Sequence, residues 1–368
     1  MKLSVVQENL NKALSHTSRI VGTRTNLPVL GNVLLSTEDS RLKVSATNLE
    51  MAITCTIGAK VESTGSLSVP AKLMAEIVSN LPNDKLQLVA TDNNLLIKAD
   101  HFDSKLNGIA ADEFPTIPDV KAIQGFTIDV GELINALTQV VFAASPDESR
   151  PVLAGVIFIL DENTLTLVAT DSYRLAECKL DLKSDKQFTI VVPSRTINEL
   201  IRLASDSTED KIEIKFSKTE AVFEIGHISI VSRLIDGKFP DYKQIIPAAA
   251  KTEVTANRSE LLDIVKVANI FARENANTIK LEFGDNTISV VSSASSVGQN
   301  KSDMEVSMSG GPGEISLNAR YLIDVLSVLK SDSVYIGVND KLDPCLIRPV
   351  EKNKKVSRYV HIIMPLRS

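Results

Sequence analysis

Four histidines, His16, His101, His227 and His361, and three cysteines, Cys55, Cys178 and Cys345, are the side chains of this chain best suited to nucleophilic, general-base or metal chemistry. Their spacing supports none of it, because neither Cys-x-x-Cys nor His-Glu-x-x-His occurs. An odd number of scattered cysteines fits reduced, buried thiols rather than a disulfide framework. Asp92 and Asp171 stand where a strand gives way to a turn, the place of a capping carboxylate rather than of an acid–base pair. Gly310-Gly311-Pro312-Gly313 lacks the strand-loop-helix context of a phosphate cradle and reads as a turn between strands. No catalytic constellation, metal or cofactor is expected, although a hydrolase site assembled across domains is a competing class.

The cations are more informative. Lys12 and Arg19 fall on one side of a first helix, Lys72 opens a second, Arg195, Asn198 and Arg202 line another, and Lys266, Asn269 and Arg273 one more. Taken singly, each set is an ordinary solvated face. Their recurrence on equivalent helices points to a basic stripe for phosphate contact inside an acidic molecule.

Those helices recur because the chain repeats. Pro28-Val29-Leu30 returns as Pro151-Val152-Leu153, Ala46-Thr47-Asn48 as Ala169-Thr170-Asp171, and Cys55 as Cys178, at one constant offset. Phe114-Pro115, Phe239-Pro240 and Met364-Pro365 mark the ends of three copies that account for the whole length. Each copy opens with an amphipathic helix: Val6, Leu10, Ala13 and Leu14; then Leu133, Leu137 and Val140; then Leu261, Val265 and Ala268. A second helix follows in each, on Leu73, Ile77 and Leu81, on Ile197, Leu200 and Ala204, and on Leu322, Val325 and Leu326. Between them lie alternating strands, for example Gly155–Ile159 and Thr164–Val168 around Asp161-Glu162-Asn163. The expected fold is α+β: three repeated domains, 1–120, 126–248 and 252–368, each two helices on mostly antiparallel sheet.

Composition agrees with a globular protein of this size. The 368 residues are 43% hydrophobic, and no apolar run approaches a membrane span, so a cytoplasmic protein is the default. The net charge of -6 and an aromatic content of 4% without Trp exclude binding by a bulk basic surface or by a stacking platform.

Four stretches together resemble one family. They are Thr25-Asn26-Leu27-Pro28-Val29-Leu30-Gly31-Asn32, Val168-Ala169-Thr170-Asp171-Ser172-Tyr173-Arg174-Leu175-Ala176, Leu234-Ile235-Asp236-Gly237-Lys238-Phe239-Pro240-Asp241-Tyr242, and Ile363-Met364-Pro365-Leu366-Arg367. The chain is similar over its whole length to the bacterial DNA sliding clamps, the beta subunits of DNA polymerase III. That resemblance implies a non-catalytic processivity factor: a half-ring that dimerises into a closed homodimeric ring, helices inside and sheets outside, sliding on duplex DNA. Twelve helices at roughly 10 Å spacing leave roughly 28 Å free, enough for a duplex.

The resemblance also implies sites. DNA contacts match Arg24 and Lys72, with Arg150 in a loop that can approach the duplex or the groove. Lys12, Arg19, Arg195, Arg202, Lys266 and Arg273 join them from the helix-face argument alone. A groove between the second and third domains takes short peptides from the polymerase III alpha subunit, the clamp loader, other polymerases and repair proteins. It matches Leu153, Thr170, Ser172, Tyr173, Arg174 and Leu175 in the middle copy, Pro240, Gln244 and Ile245 at the second linker, and Pro344, Ile362, Met364, Pro365, Leu366 and Arg367 near the end. Its aliphatic residues suit an anchor slot, with Arg174 and Arg367 on the rim. Ser172-Tyr173 and Gln244 depart from the family's usual Gly-His and Arg, which leaves the groove's entrance chemistry open. A repeat-built protein scaffold unrelated to DNA is the other alternative.

Overall fold

The computed structural model describes residues 1–22, 27–121, 124–184, 186–294, 296, 298–350 and 358–367, so Arg24 lies outside the described residues. The first copy runs β1 (Lys2–Val6), α1 (Gln7–Thr17), β2 (Asn32–Glu38), β3 (Arg41–Thr47), β4 (Met51–Gly58), β5 (Lys60–Ser63), β6 (Ser66–Pro70), α2 (Ala71–Asn80), β7 (Lys85–Thr91), β8 (Asn94–Ala99) and β9 (Phe102–Asn107). The second runs β10 (Gln124–Asp129), α3 (Val130–Val141), β11 (Gly155–Asp161), β12 (Thr164–Thr170), β13 (Arg174–Asp181), β14 (Phe188–Pro193), α4 (Ser194–Ser205), β15 (Lys211–Phe216), β16 (Glu220–Ile225) and β17 (Ile228–Arg233). The third runs β18 (Thr252–Asn257), α5 (Arg258–Ala272), β19 (Thr278–Gly284), β20 (Thr287–Ala294), β21 (Gly298–Glu305), β22 (Ser307–Gly310), β23 (Gly313–Asn318), α6 (Ala319–Val328), β24 (Ser333–Val338), β25 (Cys345–Pro349) and β26 (Tyr359–Ile363).

Local chemistry explains these elements. The hairpin of β11 and β12 closes at Asp161↔Thr164 around Glu162, whose positive φ of 45° fits the primed turns that a right-twisted pair prefers. Asn257 and Asn318 cap α5 and α6 by accepting the Glu260 and Arg320 N–H groups. Gly237 adopts φ 136°, and a Cβ there would stand 2.6 Å from Val152 Cγ2. The linker motif needs glycine at that point for both reasons.

Sheets do not respect the copies. One eight-stranded sheet has the order β10-β15-β16-β17-β4-β3-β2-β6, so β17 of the second copy joins β4 of the first, with Ile228 opposite Cys55. A nine-stranded sheet, β14-β11-β12-β13-β26-β25-β24-β18-β22, joins β13 of the second copy to β26 of the third, with Cys178 opposite Tyr359. Compactness accordingly groups the chain into two units, Met1–Val130 with Glu199–Leu234, and Gly131–Asn198 with Ile235–Ser368. The middle copy is divided between them because its two sheets each pair with a different neighbour. The remaining sheets are β5-β1-β7-β8-β9 and β21-β20-β19-β23.

Leu133, Leu137 and Val140 of α3, Leu261, Val265 and Ala268 of α5, and Leu322, Val325 and Leu326 of α6 are buried as their spacing predicts. Three expectations need correction. Val6 ends β1 instead of opening the α1 stripe, since it still pairs with Lys85 of β7. Helix α1 stops at Thr17, where the Ser18 N–H closes on Leu14 O and Ile20 and Val21 turn into the core, so Arg19 is beyond the helix. In α2 the buried positions are Ala71, Met74 and Val78, and Leu73 is 49% exposed. That helix carries two apolar stripes, and contact with α1 and with its own sheet chooses which one is covered.

Candidate partner-binding groove and nucleic-acid interface

The groove residues begin at a turn. Thr170 Oγ1 accepts the Ser172 N–H and donates to Arg174 O, while Asp171 Oδ1 accepts both the Tyr173 and Arg174 N–H groups. This bonding holds Ser172 at φ 78°, a left-handed conformation that a serine adopts only under constraint. The turn throws Tyr173 outward, 59% exposed, and its carbonyl accepts the Met364 N–H at 2.8 Å. Strand β26 thus delivers Met364 to the lip, and a second backbone bond, Leu366 N–H to Ser316 O at 2.8 Å, holds the segment beyond it.

Beneath the lip, Leu175, Ile362, Ile157, Val168, Phe239 and Tyr242 form one buried cluster, with Met364 packed half-buried against it. Tyr242 donates to Glu177 Oε2 at 2.8 Å, and burial together with that carboxylate raises the phenol's pKa. The pair escapes sequence reasoning, because nothing near Tyr242 in the chain indicates that its hydroxyl is buried against a carboxylate sixty-five residues away. Ile245 is exposed, its N–H bonded to Tyr242 O, and Gln244 donates to Asp241 Oδ2 at 2.9 Å. Leu153 is buried with its N–H on Arg150 O; Pro240 and Arg367 are exposed, and Pro344, Pro365 and Leu366 are half-buried. The structure therefore unites Leu175, Ile362 and Met364 directly, and Thr170, Ser172, Tyr173 and Ile245 through backbone bonds.

Arg174 is the correction. Only 11% of its side chain is exposed, and it bonds Asp171, Asp324 and Phe142 O while lying 5.3 Å from the Phe142 ring centroid and 4.5 Å from that of Tyr321. A guanidinium so fully committed ties the turn to α3 and α6 and is not a rim cation. Arg150 is the exposed guanidinium of this lip, donating to Ser172 Oγ at 3.2 Å and paired with Asp147.

Among the proposed DNA cations, Lys12, Arg19, Lys72, Arg195, Lys266 and Arg273 are exposed. Lys12 reaches Asp206 O, Arg195 pairs with Glu148, and Lys266 lies 3.8 Å from Asp263, all surface contacts that exchange readily with solvent. Arg202 differs from expectation: half-buried, it bonds His16 O and Glu199, because the α1–α4 contact claims it. Cys55 and Cys178 are buried thiols at matching positions, facing His16 and Gln139 at 3.9 and 3.6 Å, and burial pushes Cys55 up to about 12. Such a thiol is not a nucleophile. His16 and His361 are core residues, and His101 and His227 are exposed.

Three family models match in tandem: the DNA polymerase III beta subunit N-terminal domain over residues 1–118, its central domain over 127–241 and its C-terminal domain over 243–367. The chain belongs to the DNA polymerase III beta subunit family. A beta sliding clamp of Synechococcus elongatus is 32% identical, covering 100% of this chain and 99% of that protein, and one of Staphylococcus epidermidis is 28% identical over 100% of both. Among solved structures, the sliding clamp of Bacillus subtilis superposes with a TM-score of 0.94 at 27% identity, covering 100% of this chain and 99% of that one. The clamp of Pseudomonas aeruginosa bound to griselimycin gives 0.94 at 28% identity over 100% of both chains. Like these beta subunits, the chain carries three clamp-type α+β domains. Among the described residues no helix is long and apolar enough to cross a membrane.

Proposed function

We propose that this processivity factor, a non-catalytic subunit by family, acts in the cytoplasm as a closed homodimeric ring around duplex DNA, built from domains 1–120, 126–248 and 252–368 of each protomer. One observation carries the reading. In each copy the fourth sheet strand seeks the last strand of the next: β4 takes β17, and β13 takes β26. Two strands of these types remain at sheet edges, β21 of the third copy and β9 of the first. A second protomer satisfies both if each β21 pairs with the other's β9, which closes a two-fold assembly and covers these two edges.

Helices follow the same logic. At the first junction α1 meets α4, where Lys12 reaches Asp206 O and Arg202 reaches His16 O, and at the second Arg174 joins Phe142 O after α3 to Asp324 of α6. The corresponding third pair is α5 with a partner's α2. Those helices bear the uncovered Val267, Ile270 and Leu73. Enclosure then permits weak, sequence-independent phosphate contacts from Arg24, Lys12, Arg19, Lys72, Arg195, Lys266 and Arg273 despite the acidic total.

Partner peptides from the polymerase III alpha subunit, the clamp loader, other polymerases and repair proteins dock at Met364 and the Tyr173 lip, over the buried support of Leu175 and Ile362, with Arg150 and Arg367 beside them. The Pseudomonas relative's complex with griselimycin supports a ligand site in this family. After loading onto nicked circular DNA, the protein should co-elute with the circle and be released when the circle is cut. Equal retention on linear DNA would show an ordinary binder instead.

A further inference from the structure

The turn that forms the groove lip occurs a second time, bond for bond, in the other compact unit. Thr47 Oγ1 accepts the Leu49 N–H and donates to Met51 O, Asn48 Oδ1 accepts the Glu50 and Met51 N–H groups, and Glu50 O accepts the Arg233 N–H. Each bond has its counterpart at Thr170, Asp171, Tyr173 and Met364. Below this second lip lies a cavity of about 270 Å³ lined by Ala52, Val231 and Pro115, the repeat positions of Leu175, Ile362 and Pro240.

Two features of this cavity are not explained by packing within the chain. Leu49 is held at φ 75°, a backbone region unfavourable for leucine, yet its side chain is half exposed and fills no core. The rim holds the carboxylates of Glu50 and Glu220 and the guanidinium of Arg233, and none of the three forms an ion pair among the described residues. At the two backbone positions where the groove presents Tyr173 and Met364, this cavity presents Glu50 and Arg233.

We propose that this cavity is a second docking site, taking a short linear peptide of a partner protein with one aliphatic anchor side chain and a lysine or arginine next to it. The volume is below that of a drug-sized pocket and suits one anchor. The floor of Ala52 and Val231, with the half-exposed Leu49 at the lip, supplies the apolar contact, and two carboxylates against one guanidinium give the rim a net negative charge. The groove lip instead presents Tyr173 with Arg150, the latter paired with Asp147 and lacking this cavity's carboxylate excess, so the two sites favour peptides of different flanking charge and can be occupied by different partners at once. From the groove reading the inference borrows only the premise that this turn presents a docking surface.

Full-length protein is titrated into two fluorescein-labelled peptides, Gly-Ser-Lys-Leu-Lys-Ser-Gly and its counterpart with glutamate for lysine, read by anisotropy. The lysine peptide is expected to bind, to weaken about tenfold or more in the double variant of the exposed Glu50 and half-buried Glu220, Glu50→Lys with Glu220→Lys, and to keep its affinity when Met364–Ser368 is deleted. In the ¹⁵N-labelled protein its amide shifts centre on Thr47–Ala52. Binding no tighter than that of the glutamate peptide, insensitivity to the double variant, or shifts centred elsewhere would overturn the proposal. A labelled clamp-binding segment of the polymerase III alpha subunit, run against the same deletion, reports on the groove alone and keeps the two readings separate.

Discussion

At the residue scale, Arg174, Leu49 and His361 show how one side chain's surroundings set its role. The Arg174 charge that would have served a partner is spent on Asp171, Asp324 and two rings, so Arg174 stiffens the lip and leaves recognition to its neighbours. Asp324→Asn should weaken peptide binding less than Arg174→Ala, a difference readable by calorimetry, because the Asp171 and Phe142 bonds remain. Leu49 tolerates its left-handed backbone only because Thr47 and Asn48 hold it, so Leu49→Gly should be about 1 kcal/mol or more stabler to urea than Leu49→Val, whose branched Cβ is worst there. His361 is fully buried, and burial with the nearby Arg174 charge lowers its pKa to about 3. The fold favours the neutral ring; its stabilisation is complete above the unfolded value near 6.5 and is lost as pH falls from there toward 3. At pH 5 this amounts to about 2 kcal/mol. His16, lowered chiefly by burial and then by Arg202, acts in the same direction. Urea midpoints at pH 7 and pH 5 should differ less in His361→Phe than in the parent protein; equal differences would remove His361 as the cause.

At the element scale, β26 is the decisive strand. It joins β13 to β25 inside their shared sheet, and its continuation places Met364 and Leu366 by backbone bonds to Tyr173 and Ser316, so the end of the described chain is anchored where chain ends usually fray. Deleting Met364–Ser368 removes an anchor side chain from the groove while β26 keeps its pairing. A labelled alpha-subunit peptide should then lose roughly 2 kcal/mol or more of binding, with the dimer intact by light scattering. Unchanged affinity in that truncated dimer would mean the groove lies elsewhere.

At the scale of the whole molecule, the predictions concern surfaces that a single chain leaves open. Ile270→Asp places a charge on the uncovered face of α5, and should shift sedimentation from dimer to monomer while each protomer keeps its circular dichroism, since the residue is 55% exposed. A dimer unaffected by this change would exclude α5 from the interface. Lys72→Ala with Lys266→Ala should lower DNA affinity equally across sequences and reduce the salt slope by about one for each phosphate no longer neutralised. Sequence-selective weakening would contradict phosphate positioning.

Much was legible beforehand because it is encoded over short distances. Period and punctuation alone mark the helices from Leu133 to Val140 and Leu261 to Ala268, the Asp161–Thr164 hairpin and the turn at Gly311-Pro312, and the constant offset of Cys55 and Cys178 marks the repeat. Tertiary structure alone decided what depends on partners distant in sequence. It paired Cys178 with Tyr359 and Cys55 with Ile228, dividing the middle copy between two sheets. It also drew Arg174 and Arg202 inward and turned Leu73 out. An amphipathic stripe or a lone arginine states what a residue can bind, whereas the identity of the group it meets is settled only when desolvation and packing bring one distant segment, and not another, within reach.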